Sequence, residues 1–157
     1  MATRVYVETT VWSFAEADDS PDLRTITLAF FDRCRERAYE TVISGLVVEE
    51  LSDSDEPVRS RLLALVGEIG PAVVLLDDRV RSLAEGFVRL GAAPPSKPQD
   101  ATHVAAAFAA GLDVLVSWNF KHISRMRRAD RFNAAAVKLG LTKPLRILTP
   151  TELADAE

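Results

Sequence analysis

Cysteine is nearly missing from this sequence, since Cys34 is the only one among 157 residues. A single thiol cannot form an intrachain disulfide or a zinc cluster built from cysteines, so both are excluded. A single cysteine also suits the reducing cytosol, and we expect a cytoplasmic protein. A chain of this length buries about 70% of the surface that its unfolded state exposes, so it needs neither a disulfide nor a metal ion to fold.

Long apolar runs are also missing. The longest strongly apolar stretch covers residues 104–112 and is closed by Asp113, whereas a helix that crosses a bilayer needs about 20 apolar residues. Near the N-terminus, Arg4 and Glu8 lie too close together to leave space for the apolar region of a signal peptide. We therefore expect a protein that has no membrane partner.

The sequence has no excess of positive charge. It contains 19 lysines and arginines against 23 aspartates and glutamates, which gives a net charge of −4. A protein that coats nucleic acid with a uniformly basic surface is therefore disfavoured, although a local basic patch is compatible with this balance. The apolar content of 48% and the charged content of 27% are ordinary for a globular protein, and the length predicts a single domain over residues 1–157.

What the sequence does contain is an alternation of strand-like and helix-like segments. Short runs rich in β-branched and apolar residues predict five strands, at residues 4–7, 41–44, 72–76, 114–117 and 145–148. Apolar residues at helical spacing predict helices between them. This order predicts an α/β fold, a three-layer α/β/α sandwich with a mainly parallel sheet of about five strands. The apolar run at 72–76 is typical of a strand that is buried on both faces.

Individual residues mark several helix boundaries. Gly70 and Gly111 follow periodic apolar segments and predict helix ends, because glycine adopts the left-handed conformation found there. Thr149 and Glu152 have the spacing of a capping box, which predicts a last helix at the C-terminus.

Acidic residues gather around the ends of the predicted strands. Glu8 follows the first strand, Glu49 and Glu50 lie on the helix after the second, and Asp100 opens the helix before the fourth. In open parallel sheets the ligand crevice lies outside the carboxyl ends of the strands. Carboxylates that lie close together repel one another, and a hard cation such as Mg²⁺ or Mn²⁺ offsets that repulsion. The sequence therefore predicts a carboxylate site for a metal ion at this edge.

Four segments occur in an order that is familiar from a known family. They are VYVETTVW at residues 5–12, ISGLVVEEL at 43–51, QDATHVAAA at 99–107 and DVLVSWNFKHI at 113–123. Through these segments the chain resembles the PIN domains, in particular the VapC-like ribonuclease toxins of type II toxin–antitoxin systems. The resemblance covers nearly the whole chain and implies the PIN-like fold.

The resemblance also implies an activity and a site. We expect a Mg²⁺-dependent endoribonuclease that cleaves single-stranded RNA, with Mn²⁺ as a possible substitute metal. Its catalytic and metal-binding residues would be Glu8, Glu50, Asp100 and Asn119, while Glu49 stays an alternative to Glu50. The family usually has an aspartate at the first position and an acid at the fourth, so Glu8 and Asn119 depart from its pattern. A cognate antitoxin and a homodimer are the further partners that the resemblance implies.

A basic cluster follows Asn119 directly. Its ordinary interpretation is a solvated helix face, but beside an acidic pocket such a cluster would bind a phosphodiester backbone. The candidate substrate-binding residues are Thr9, Ser117, Lys121, Arg125 and Arg128.

Each candidate also has a purely structural interpretation. Glu8 could cap the helix that follows it, Glu50 could be a solvated surface acid, and Asp100 could only favour the dipole of its helix. Asn119 could form a turn. His103 lies three residues after Asp100 and is interpreted as a packed helix residue rather than a catalytic one.

Two other functions are compatible with the same pattern. The first is a phosphorylation-dependent receiver domain with Asp77 as the phospho-acceptor, although the lysine expected after the fifth strand is absent and Asp77 with Asp78 can equally cap a helix. The second is a PIN-like interaction module without catalysis, which the departures at Glu8 and Asn119 motivate.

Overall fold

Along the described chain each strand is followed by one or two helices. A computed structural model describes residues 2–119 and 123–156, and all side chains of these except those of 123–127. The strands are β1 (Thr3–Val7), β2 (Tyr39–Ser44), β3 (Ala72–Val74), β4 (Val114–Val116) and β5 (Arg146–Leu148). The helices are α1 (Thr9–Phe14), α2 (Pro21–Arg35), α3 (Gly45–Ser52), α4 (Val58–Ile69), α5 (Asp78–Arg89), α6 (Pro98–Ala109), α7 (Ile123–Lys138) and α8 (Pro150–Asp155).

The five strands form one sheet in the order β3-β2-β1-β4-β5. All four neighbouring pairs are parallel, which confirms the predicted fold class. The chain adds β2 and β3 on one side of β1 and then β4 and β5 on the other side. The strand order therefore reverses between β1 and β4, and such a switch point opens a crevice at the carboxyl ends of these two strands.

Two groups of helices cover the sheet. Helices α1 to α4 and α8 form one connected group, while α5 contacts α6 and α7 in a second group. The central strand β1 is buried on both of its faces, since Val5, Tyr6 and Val7 are all fully inaccessible. The predicted three-layer sandwich is confirmed.

Aromatic rings pack in the helical layers. Trp12 lies 4.8 Å from Phe31 between ring centroids, and Phe87 lies 5.2 Å from Phe132 in an edge-to-face contact. Each pair joins two different segments, and such contacts add about 0.5–1.5 kcal/mol to the free energy of area burial. The two clusters fix the helices that carry or flank the candidate site.

Strand β3 departs from its prediction. The strand ends at Val74, and Val73 and Leu75 are 56% and 77% exposed, so the prediction of a strand buried on both faces is wrong. β3 pairs only with β2 and lies at the edge of the sheet. Apolar content alone does not reveal the strand order, and an edge strand has no neighbour to cover its outer side.

The helix boundaries follow the predicted local signals. Gly70 and Gly111 adopt positive φ values of 65°, where a side chain would be strained. The Thr149 hydroxyl accepts from the Glu152 backbone N–H at 3.1 Å, and the Glu152 carboxylate accepts from the Thr149 backbone N–H at 2.9 Å. The predicted capping box is confirmed.

Throughout residues 2–119 and 123–156, no helix combines the length and apolar content needed to cross a bilayer.

Candidate functional site

Glu8 lies at the carboxyl end of β1, at the switch point. Its backbone N–H donates to the carbonyl of Val116 on β4 at 3.0 Å, and the residue is only 5% exposed. Its Oε1 accepts from the Ser117 hydroxyl at 2.7 Å, from the Thr10 backbone N–H at 3.1 Å and from the Thr10 hydroxyl. No donor from the described residues reaches Oε2. Glu8 therefore caps α1, as its structural interpretation predicted, while one carboxylate oxygen stays available.

The two carboxylate oxygens of Glu50 also differ in their hydrogen bonds, as those of Glu8 do. It lies on α3, and its side chain is 30% exposed. The Thr9 hydroxyl donates to Oε1 at 2.6 Å, and Nε2 of His103 lies 2.7 Å from the same oxygen. Within the described part of the chain nothing donates to Oε2. Because Glu49 is exposed to solvent, the structure favours Glu50 as the acid of this edge.

The charge of Glu50 is set by two opposing effects. Burial raises the pKa of the carboxyl group, but the hydrogen bonds from His103 and Thr9 outweigh it, and the net pKa lies below its ordinary value. Glu50 is therefore ionised at neutral pH and can only accept hydrogen bonds. It follows that Nε2 of His103 carries a proton in this contact.

A buried chain of hydrogen bonds continues behind His103. Nδ1 of His103 lies 2.6 Å from the hydroxyl of Tyr6, which lies 2.8 Å from the hydroxyl of Ser44. Burial raises the pKa of the Tyr6 phenol, so the hydroxyl keeps its proton at neutral pH and can donate it to Nδ1. Ser44 occupies the N-cap position of α3 but makes no capping hydrogen bond with its side chain. The Ser44 hydroxyl forms a hydrogen bond with the Tyr6 hydroxyl instead.

The sequence did not lead us to predict this chain of hydrogen bonds. The prediction that His103 is a packed helix residue is confirmed, since it is 2% exposed, but packing is not its whole role. One signal was available: His103 falls three residues after Asp100 and so shares its helix face. For Tyr6 there was no local signal, because its partners lie 38 and 97 residues away along the sequence.

Asp100 lies in the first turn of α6 and is 7% exposed. Its Oδ2 accepts from Nη2 of Arg128, on α7, at 3.3 Å. The structure thus brings one residue of the predicted basic cluster into contact with one of the predicted acids.

The remaining candidate residues differ in their exposure and in their hydrogen bonds. Asn119 is exposed, and its backbone N–H donates to the Ser117 hydroxyl at 3.0 Å. Thr9 and Ser117 donate their hydroxyls to Glu50 and Glu8, so both support carboxylates, and a contact with substrate stays a prediction. Lys121 and the side chain of Arg125 lie outside the described residues, and these two assignments also stay predictions.

A surface cavity lies beside the Asp100–Arg128 pair. It has a volume of about 510 Å³, and its lining includes Arg128, Arg131, Pro94 and Pro95. The two arginines place positive charge next to a buried acid of the candidate site.

Comparison with models of known protein families gives no match to this chain, and no curated protein matches it significantly. The relationship to the PIN domains stays a prediction that rests on the four sequence segments.

The fit of these residues to a metal ion can be judged from their chemistry. Among residues 2–119 and 123–156, no group of three or more His, Cys, Asp or Glu side chains is arranged to hold a metal ion. The donor type does fit, because Glu8 and Glu50 each keep one oxygen without a donor from the described residues, and carboxylate oxygens are the ligands that Mg²⁺ and Mn²⁺ prefer. Asn119 would add a neutral carbonyl oxygen.

The sheet order argues against the receiver alternative. Asp77 accepts from the backbone N–H of Val80 at 3.0 Å and caps α5, which confirms its interpretation as an N-cap. In sheets of the order 2-1-3-4-5, to which receiver domains belong, the third strand lies beside the first. Here β2 separates β3 from β1, so Asp77 follows a strand that is not a neighbour of the one before Glu8.

Proposed function

We propose that this chain is a metal-dependent endoribonuclease of the PIN-domain type, which cleaves single-stranded RNA. One observation carries the proposal: at the carboxyl edge of the sheet, Glu8 and Glu50 each accept hydrogen bonds from the described residues through Oε1 alone. Hydroxyl and backbone donors fix the Glu8 carboxylate without neutralising it, and at Glu50 a hydroxyl and an imidazole leave Oε2 without a donor from the described residues. Two such carboxylates near a crevice are suited to bind a cation through their other oxygens.

The residues that would hold Mg²⁺ or Mn²⁺ are Glu8, Glu50 and Asp100, together with Asn119. When bound, such a cation supplies a Lewis acid that polarises the scissile phosphate and lowers the pKa of a water molecule. A nucleophilic side chain is not required for this chemistry.

Hydroxyl groups from α1 and from Ser117, directly after β4, would fix the orientation of the two glutamates. Thr10 and Ser117 bind Oε1 of Glu8, and Thr9 binds Oε1 of Glu50. Because Thr9 and Thr10 are consecutive, a single helix start holds both carboxylates. Fixed ligands lose less conformational entropy on binding a cation than mobile ones do.

Arginines beside the acids support a nucleic-acid substrate. Arg128 and Arg131 line the cavity next to Asp100, and they would bind phosphates of the backbone. Lys121 and Arg125 belong to the same predicted cluster. That the substrate is RNA rather than DNA rests on the resemblance to the family.

The proposal extends to a biological role. The resemblance implies that the protein is the toxin of a toxin–antitoxin pair, acts in the cytoplasm, forms a homodimer and binds a cognate antitoxin. Growth arrest on expression of the chain alone, relieved by co-expression of a neighbouring small reading frame, would support this role.

The nuclease activity can be tested with purified full-length protein and unstructured RNA in the presence of Mg²⁺ or Mn²⁺. Asp100→Asn and Glu50→Gln should each lower the cleavage rate at least about 100-fold, because an electrostatic contribution of several kcal/mol is lost. Glu49→Gln is the matched control on the same helix, and it should cleave like the wild type.

Two outcomes would contradict the proposal in different ways. If the wild type and both variants are equally inert on structured and unstructured RNA, the protein is better described as a PIN-like interaction module. If cleavage survives both substitutions, the protein is a nuclease and the assigned acids are wrong.

A further inference from the structure

His103 links a candidate metal ligand to the interior of the protein. Its side chain is 3% exposed and lies between the Tyr6 hydroxyl, 2.6 Å from Nδ1, and Oε1 of Glu50, 2.7 Å from Nε2. We propose that His103 is a positioning residue, which holds Glu50 in the orientation that leaves its Oε2 for a divalent cation. This inference rests on the proposed function and adds to it a residue outside the acidic set.

The hydrogen bonds around His103 require a proton on Nε2. Glu50 is ionised and only accepts, so Nε2 of His103 must donate to it. At Nδ1 the ring meets the Tyr6 hydroxyl, which can donate or accept, and this hydroxyl in turn meets the hydroxyl of Ser44. Both ring nitrogens therefore have a hydrogen-bond partner, whichever of the two atoms carries the proton between Nδ1 and Tyr6.

The surroundings of His103 hold its ring in place. The Tyr6 and His103 rings meet edge to face, with centroids 5.7 Å apart, and no buried polar side-chain atom of the described residues lacks a partner. The chain takes its members from four elements: β1 supplies Tyr6, β2 supplies Ser44, α3 supplies Glu50 and α6 supplies His103. Movement of the ring would leave buried polar groups unpaired, which is costly.

Packing alone does not account for a histidine at this position. The neighbouring residues Ala101, Val104 and Ala107 on α6 are apolar and fully buried, so an apolar side chain would suit the same interior. A buried imidazole costs free energy unless its polar atoms are bonded, and here one of its two bonds goes to a half-buried carboxylate at the site. Partners of this kind, one bond away from a ligand, commonly affect metal affinity by 10–100-fold.

The test uses full-length protein, with Mn²⁺ as the probe. His103→Leu removes the donor to Glu50, and we expect the Mn²⁺ dissociation constant, measured by electron paramagnetic resonance of free Mn²⁺, to rise at least about 10-fold. His103→Gln can place an amide N–H near the position of Nε2, so it should restore most of the affinity. Thr102→Val is the matched control, because it removes a side-chain hydrogen bond to Pro98 on the outer face of the same helix and should bind Mn²⁺ like the wild type.

A second measurement on the wild type does not depend on a metal or on the stability of any variant. Nitrogen-15 nuclear magnetic resonance of His103 at neutral pH should show a proton on Nε2. An unprotonated Nε2, or unchanged Mn²⁺ affinity in a folded His103→Leu variant, overturns the positioning role while RNA cleavage by the wild type still supports the proposed function. If the wild type neither binds Mn²⁺ nor cleaves RNA, both proposals fall.

Discussion

Acidic residues at the two ends of the central strands are bound in different ways. At the amino end of β4, both oxygens of Asp113 are used: Oδ2 accepts from the Arg4 backbone N–H at 2.8 Å, and Oδ1 lies 2.8 Å from Nζ of Lys143. At the carboxyl end, Glu8 and Glu50 accept hydrogen bonds through one oxygen each. Asp113 joins β1 to β4, whereas Glu8 and Glu50 each keep one oxygen without a donor from the described residues.

This difference separates a structural acid from a candidate ligand without reference to any relative. An acid that pairs with a lysine through one oxygen and with the backbone through the other has completed its interactions. A carboxylate that is held in place but not neutralised keeps its negative charge, and a bound cation can neutralise that charge.

The largest expected effect comes from comparing Glu8→Gln with Asp113→Asn. Glutamine retains an oxygen that can accept from Ser117 and Thr10 but removes the charge, so Mg²⁺-dependent RNA cleavage should fall at least about 100-fold. Asp113→Asn removes a charge at the opposite end of the strands and should leave the cleavage rate close to that of the wild type. Equal losses in the two variants would show that the ends do not differ in function.

Next in size is the stability effect of Tyr6→Phe. This change removes a buried hydroxyl and leaves Nδ1 of His103 without its hydrogen-bond partner, which should lower the free energy of unfolding by about 1–3 kcal/mol. Lys143→Met at the other end breaks a solvent-exposed pair and should cost no more than about 1 kcal/mol. Urea denaturation of both variants measures the contrast, and a larger cost for Lys143→Met would contradict it.

The pH dependence of stability should reveal the pairing of Asp113. The Lys143 hydrogen bond, followed by that from the Arg4 backbone, holds the pKa of Asp113 below its ordinary value. A carboxyl group with a lowered folded-state pKa stabilises the protein above its unfolded pKa of about 3.9, and this contribution is lost as the pH falls through the folded-state pKa. Asp113→Asn should therefore be less stable than the wild type at pH 7, and the difference should shrink below about pH 4. A constant difference across this range would argue against the pairing.

The smallest effect should come from Glu40→Gln near the amino end of the sheet. Glu40 lies 3.8 Å from the Arg4 guanidinium, and both side chains are largely exposed. Surface pairs of this kind contribute about 0–1 kcal/mol, so thermal unfolding of this variant should match the wild type. A clear loss of thermal stability would show that the exposed Glu40–Arg4 pair contributes more than about 1 kcal/mol to the free energy of unfolding.

The sequence allowed the fold to be predicted because its signals were local and mutually consistent. The strands β1, β4 and β5 lie within a residue of their predicted limits. The burial of β3 was mispredicted because strand order depends on packing between distant segments. Apolar composition is the same for an inner strand and for an edge strand with exposed side chains such as Leu75.

Only the acidic residues of the candidate site could be predicted from the sequence. Carboxylates after strands have a clear chemical signature, which indicated Glu8, Glu49 and Glu50, and the family resemblance favoured Glu50 over Glu49. Their partners were not predictable, because Ser117 lies 109 residues from Glu8 and His103 lies 53 residues from Glu50. The Arg128–Asp100 contact likewise depends on how α7 packs near α6.

The hydrogen bond between Glu8 and the distant Ser117 also sets an order of events during synthesis. Glu8 is made early, but the hydroxyl that fixes it follows 109 residues later. At translation rates of about 5–20 residues per second, about 5–20 s separate the two. The Glu8 contact therefore cannot form before Ser117 has been made, and a truncation anywhere before β4 removes this partner of Glu8.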